Sequence, residues 1–188
     1  MVDTPEIALA KAELRRQVRT LRRSLSSTQK IAEEANVCRL LTARYEGDKQ
    51  LAIASYAALP DELSVDAWHV YLWAAGQPVW LPRVIAPGAL SWHPVTDAAQ
   101  LATGAYGIRE PRAEVVPPEL LPRSAMLLVP GVAFTGDGWR LGQGGGFYDR
   151  LLATHPGPTI GLAYACQRVA EVPRGSHDHP VRAVFFGG

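Results

Sequence analysis

Between Arg140 and Asp149 the chain reads Arg-Leu-Gly-Gln-Gly-Gly-Gly-Phe-Tyr-Asp, with Gly142, Gly144, Gly145 and Gly146 crowded around Gln143. Glycine has no β-carbon, so backbone N–H groups in such a loop can approach phosphate oxygens closely. A helix expected to begin near Gly145 or Gly146 would add unpaired N–H groups and the positive end of its dipole. Arg140, at the edge of the loop, offers a forked and permanently charged donor to the same anion. Asp149, one turn into the helix, has two readings: a ligand for a magnesium ion that bridges phosphates, or a carboxylate that stabilises the helix start. The loop is not a Walker A sequence, because no Gly-Lys-Ser/Thr follows, and its glycines fall too late for a dinucleotide fingerprint. On composition it is an anion cradle, with a structural turn as the alternative.

A second concentration of chemistry lies near the start. Seven basic residues and one acid, Glu13, fall between Lys11 and Lys30. Leu14, Val18, Leu21 and Leu25 recur at helical spacing, which predicts an amphipathic helix over residues 5–25 with Lys11, Arg15, Arg19 and Arg22 on a different face. Nucleic acid is a poor match for this stretch, since the formal charge of the whole chain is only +1 and no aromatic residues interleave the cations. Cys38 and Cys166 have no metal-ligand spacing and read as reduced thiols. No signal-type or membrane-length apolar run occurs, which gives cytoplasmic as the expected location.

Other segments must position these residues. Ser26 with Gln29 fits a capping box that opens a second helix, running to about Tyr45 and closed by Gly47. Gln50 to Ala57 reads as a buried strand, followed by the turn Leu59-Pro-Asp-Glu62 and a helix from Ser64 to about Gly76. Strands are expected over Pro78–Pro82, Ala89–Val95, Ala125–Pro130, Thr159–Tyr164 and Val181–Phe186, with Gln100–Arg123 as a long ordered loop. Strands separated by helices imply an α/β fold: a single domain over residues 1–188, with a mostly parallel mixed sheet and helices on both faces. Ligands on such sheets sit beyond the carboxyl ends of the strands.

The string Pro130-Gly-Val-Ala-Phe134, followed by Arg140 to Asp149, closely resembles the 5-formyltetrahydrofolate cyclo-ligase (methenyltetrahydrofolate synthetase) family. Ordered matches extend the resemblance from residue 11 to about 186. They are the Lys11-x-x-x-Arg15 helix, the acidic turn Pro60-Asp-Glu62, the Gly107–Pro111 segment, and a closing pattern of Gly161-Leu-Ala-Tyr164, Gln167, Pro173 and His177-Asp178. The resemblance implies ATP-dependent ring closure of 5-formyltetrahydrofolate to 5,10-methenyltetrahydrofolate, with release of ADP and phosphate. Positioning and charge stabilisation then do the catalysis, so no Ser-His-Asp or Cys-His arrangement is needed.

The same resemblance implies roles for individual residues. Lys11 and Arg15 bind ATP phosphates together with Arg140, Leu141, Gly142, Gln143, Gly144, Gly145, Gly146, Phe147 and Tyr148. Arg140 and Tyr148 stand nearest the chemistry. Arg15, Glu62, Tyr106 and Gln143 face the reduced folate, where a carboxylate suits the amino-pyrimidine edge and Tyr106 can stack. Asp149 and Asp178 are the carboxylates linked to Mg2+; His177 and His179 are not assigned to metal, because magnesium prefers oxygen. The implied partner is a reduced folate, polyglutamylated forms included, and the chain is expected to be a monomer with no nucleic-acid or membrane partner. Three positions depart from the family pattern: Gln143 and Arg182 stand where relatives commonly carry Arg and Asp, and Phe147 replaces the first tyrosine of a pair. A noncatalytic relative, or a phosphate-ligand isomerase or transferase on a similar fold, are the alternatives.

Overall fold

The structure, a computed structural model, describes residues 3–86, 89–104 and 107–188. Helix α1 (Pro5–Ser24) begins where the Thr4 hydroxyl accepts from the Ile7 N–H and Pro5 takes the first turn. Helix α2 (Ser27–Glu46) carries the expected capping box between Ser26 and Gln29 and ends at Gly47. Between strand β1 (Ile53–Ala54) and strand β2 (Val79–Ala86) lies helix α3 (Asp66–Ala74). Strand β3 (Ala89–Val95) follows, then a small hairpin of β4 (Leu101–Thr103) and β5 (Arg109–Pro111). Strand β6 (Met126–Val129) leads into a second hairpin, β7 (Ala133–Phe134) and β8 (Arg140–Leu141). Helix α4 (Phe147–Leu152) and strands β9 (Thr159–Ala163) and β10 (Ala183–Phe186) complete the chain.

Six strands form one sheet in the order β10-β9-β6-β1-β2-β3. All pairings are parallel except β2 with β3 at one edge, so the sheet is mostly parallel and mixed, as expected. Both faces are covered, which explains why β6 is the unbroken apolar run Met-Leu-Leu-Val rather than an alternating one. Met126 and Leu128 join Leu41 and Tyr45 of α2 and Trp68 and Leu72 of α3 in one core. Leu127 and Val129 face Phe134, Trp92 and the α4 residues Leu151 and Leu152 on the other side. Tyr45 and Trp68 meet edge to face at 6.2 Å. Cys38 and Cys166 are free thiols. Among the described residues no helix is long and apolar enough to cross a membrane.

Three expectations need correction. The cations and the apolar residues of α1 do not separate onto two faces: Lys11 and Arg22 are buried with Val18, while Leu9 and Leu21 are exposed. The Gln50–Ala57 strand shrinks to Ile53–Ala54, because the chain beyond it leaves the ladder to line a cavity. The Gln100–Arg123 loop contains the β4–β5 hairpin, which Arg83 ties to β2 by donating to the Pro111 carbonyl at 2.7 Å.

Candidate active site

A cavity of about 440 Å³ opens beyond the carboxyl ends of β1 and β6, between Tyr56, Glu62, Ile108, Pro130 and the glycine loop. Pairing of Ala133 with Leu141 and of Phe134 with Arg140 in the β7–β8 hairpin fixes where that loop departs. Arg140 is 5% exposed and runs beneath the loop. A β-carbon at Gly142 would lie 2.7 Å from its Nη1, so any other residue there would have to displace the guanidinium. Gly146 starts α4 with φ of 65°, in the left-handed region that glycine adopts without strain.

The Arg140 Nη2 donates to Asp149 Oδ1 at 2.7 Å, and its buried Nε has no hydrogen-bond partner among the described residues. Burial lowers the pKa of this guanidinium, with Asp149 opposing the shift; an arginine remains charged at neutral pH regardless. Its carbon lies 5.8 Å from the centroid of the Tyr148 ring. Burial, and secondly the negative Glu62, push the Tyr148 phenol up, so it stays protonated and can donate. Helix α4 has only six residues. Its dipole is correspondingly small, and the positive potential of the loop comes mainly from side-chain cations.

Those cations come largely from α1. Arg15 Nε donates to the Gly142 carbonyl at 2.9 Å and pins the loop to the helix. One turn on, Arg19 donates to Gln143 Oε1 at 2.5 Å, and Gln143 Nε2 donates to Glu62 Oε1 at 2.8 Å. Glu62 Oε2 accepts from the Leu59 N–H at 3.2 Å, so the acidic turn is held with its carboxylate at the cavity. Gln143 therefore sits in a chain from α1 to the turn, with Arg19 providing a cation beside the position where the family pattern has Arg.

Lys11 lies away from the cavity wall. Its ammonium is buried and bonded to Asp178 at 2.7 Å and Asp3 at 2.8 Å. Burial alone would lower its pKa, but the two carboxylates prevail and raise it. Asp178 also accepts the Gly175 N–H at 2.6 Å; its own burial is outweighed by Lys11 and this N–H, which lower its pKa. Asp149 and Asp178 are thus each engaged by a different cation. Asp3, His177 and Asp178 bring ligand atoms within 4.8 Å of one another, but Lys11 bonds both carboxylates of that cluster.

Of the other candidates, Leu141 is buried behind the loop, and Gly144, Gly145 and Phe147 line the cavity with Gly142 and Gly146. Tyr106 lies outside the described residues. Sequence reasoning missed Tyr56, a buried cavity wall whose hydroxyl donates to the Leu63 carbonyl at 2.8 Å and which carries no motif. It also missed Asp3 as a partner of Lys11, a contact that only the path of the chain reveals.

A family model described as the 5-formyltetrahydrofolate cyclo-ligase family matches residues 8–187. A 5-formyltetrahydrofolate cyclo-ligase of Haemophilus influenzae is 32% identical over 184 residues, covering 93% of this chain and 96% of that protein. One of Escherichia coli strain K12 is 35% identical over 141 residues, covering 70% and 75% respectively. The structure of a 5,10-methenyltetrahydrofolate synthetase from Aquifex aeolicus superposes with a TM-score of 0.81 at 31% identity, over 94% of this chain and 89% of that one.

Proposed function

The chain belongs to the 5-formyltetrahydrofolate cyclo-ligase family, and from that premise we propose how its own residues serve the reaction. The activity is the ATP-dependent conversion of 5-formyltetrahydrofolate to 5,10-methenyltetrahydrofolate. A formyl amide is a poor electrophile with a poor leaving oxygen. The γ-phosphoryl group passes from ATP to that oxygen, leaving ADP, and the nitrogen at position 10 attacks the formyl carbon. The carbon–oxygen bond breaks, phosphate leaves with the former formyl oxygen, and the nitrogen's proton goes to solvent.

Arg140 holds the transferring phosphoryl group from below the glycine loop, through donors that its bond to Asp149 does not use. Backbone N–H groups of Gly144 to Gly146 close around the same anion, and Arg15 keeps the loop in place. The protonated Tyr148 phenol donates to oxygens that gain charge as the phosphoryl group moves. Glu62 accepts N–H donors of the folate, with Gln143 orienting it. Lys11 tightens the nucleotide side through Asp178. Single carboxylate oxygens already shared with Arg140 and Lys11 suit a magnesium ion that arrives with phosphate oxygens rather than a resident metal. Asp149 and Asp178 would hold that ion, which supplies charge neutralisation between phosphates. The chain, residues 1–188 as one domain, works as a cytoplasmic monomer on a reduced folate that carries one or more glutamyl residues, with no nucleic-acid or membrane partner.

The observation that carries this reading is the buried Arg140, threaded under the glycine loop and opening into the cavity that Glu62 and Tyr148 share. With purified protein, magnesium and 5-formyltetrahydrofolate, methenyltetrahydrofolate absorbance should rise only when ATP is added. Turnover without ATP would favour an isomerase or transferase, and no turnover with ATP would favour a noncatalytic relative.

A further inference from the structure

The closing motif Gly161-Leu-Ala-Tyr164 with Gln167 lies outside the cavity lining, and no step of the reaction passes through it. Its tyrosine nevertheless reaches the segment that carries Glu62. Three consecutive residues there meet side chains from three different elements through their backbone. The Tyr56 hydroxyl, just past β1, donates to the Leu63 carbonyl at 2.8 Å. Glu34 of α2 accepts the Ser64 N–H at 3.2 Å through Oε1. The Tyr164 hydroxyl, just past β9, donates to that same oxygen at 2.5 Å and stands 3.5 Å from the Glu62 carbonyl. A hydroxyl has one proton, and the shorter contact to a carboxylate takes it. Burial, and then the Glu34 carboxylate, push the Tyr164 phenol up, so the proton stays in place. Gln167 accepts the Tyr164 N–H at 2.9 Å and donates to the Gly131 carbonyl at 2.8 Å, which fixes the tyrosine against the chain leaving β6.

Resting on the reading of Glu62 as an acceptor for the folate, we propose that Tyr164 and Glu34 are positioning residues for the folate side of the reaction. They hold the Glu62 turn at the cavity from behind and touch neither substrate. Glu62 has its side chain set by Leu59 and Gln143, and the backbone that carries it is set by this brace. A hydrogen bond to its carboxylate has a working range of about 0.5 Å in length, so a turn that drifts further loses its partner. Tyr164 is buried and Glu34 half-buried, so water is a poor substitute for either bond. The glycine loop has anchors of its own, Arg15 at Gly142 and Arg140 at Asp149, so the nucleotide side does not follow the turn.

Steady-state kinetics on Tyr164→Phe and Glu34→Ala, each with a thermal melt, test the assignment from two sides of the same bond. KM for 5-formyltetrahydrofolate should rise about fivefold or more in both, the scale of one lost hydrogen bond, while KM for ATP stays within about twofold. Glu34→Gln keeps an acceptor oxygen for the Ser64 N–H and should recover most of the affinity that Glu34→Ala loses. A double-mutant cycle supplies the link to Glu62: in a Glu62→Ala background, Tyr164→Phe should add little further to the folate KM, because the group it positions is gone. A rise in both KM values together, or lowered melting temperatures with the folate KM unchanged, overturns the proposal and leaves the motif a plain stabiliser. Additive effects in the cycle overturn it as well. A folate KM that rises in Glu62→Ala but in neither brace variant rejects the brace alone, whereas an unchanged folate KM in Glu62→Ala rejects the reading of Glu62 and the brace with it.

Discussion

Replacing Arg140 by methionine should lower kcat by about 10²- to 10³-fold, the scale seen when one preorganised donor to developing charge is removed. The side chain is nearly sealed from solvent, so water cannot supply the lost donors. Methionine fills much of the tunnel under Gly142 but leaves Asp149 without its 2.7 Å partner. Breaking a buried pair from one side costs about 3–5 kcal/mol when both members are dry. Asp149 keeps 18% of its side chain exposed, so the cost should fall below that range. Arg140→Lys separates charge from shape. It retains a cation but not the fork that reaches Asp149 and the loop together, and should recover only a small part of kcat. Steady-state kinetics with thermal melts on both variants check this; a methionine variant within threefold of the parent kcat would remove Arg140 from the chemistry.

Lys11→Met carries the second large effect, on both stability and nucleotide affinity. The ammonium separates two carboxylates, Asp3 and Asp178, whose side chains are 16% and 11% exposed. Without it, like charges face each other in a half-dry pocket, at a cost of about 3 kcal/mol. For a chain of this size that is a fall of about 6–12 °C in melting temperature. KM for ATP should rise about tenfold as the nucleotide side loosens.

The pH dependence has a definite sign. Asp178 is held below its ordinary range, so its contribution to the parent is present at neutral pH and lost as pH falls through its folded pKa. Lys11 is held above its ordinary range, so its contribution survives until pH rises past 10.5. The parent should therefore have a broad plateau. The methionine variant should sit below it at pH 7 and approach the parent near pH 3, where protonation removes the repulsion. Urea denaturation at the two pH values reads this directly, and an equal deficit at both would contradict it.

Elements with local signals were legible before any coordinates. Helix α2 declares itself through Ser26, Gln29 and Gly47, and β3 has its expected bounds, Ala89 to Val95. The glycine loop was legible as a place to look, and its four glycines around Gln143 do line the cavity. The docking face of α1 was not. Periodicity identifies a helix and its stripes, but burial of Lys11 and Arg22 depends on Asp3, on Asp178 and on a groove assembled from residues near 60 and 143. Asp149 is a related case. One turn into a helix, it also has a partner that no local pattern announces, because the hairpin aims Arg140 at it from nine residues back. Gln143 looked like a missing cation, and the structure brings Arg19 to it from another element. Each gap is a pairing between polar side chains on different elements, which local pattern does not encode.

The central claim is that the formyl oxygen becomes the leaving phosphate's oxygen. Substrate labelled with 18O in the formyl group, turned over with unlabelled ATP in unlabelled water, tests it most directly by mass analysis of the phosphate formed. One 18O per phosphate, appearing in step with methenyltetrahydrofolate and ADP, is the predicted result. Unlabelled phosphate, with the 18O recovered in water, would contradict phosphorylation of the formyl oxygen and the account built on it.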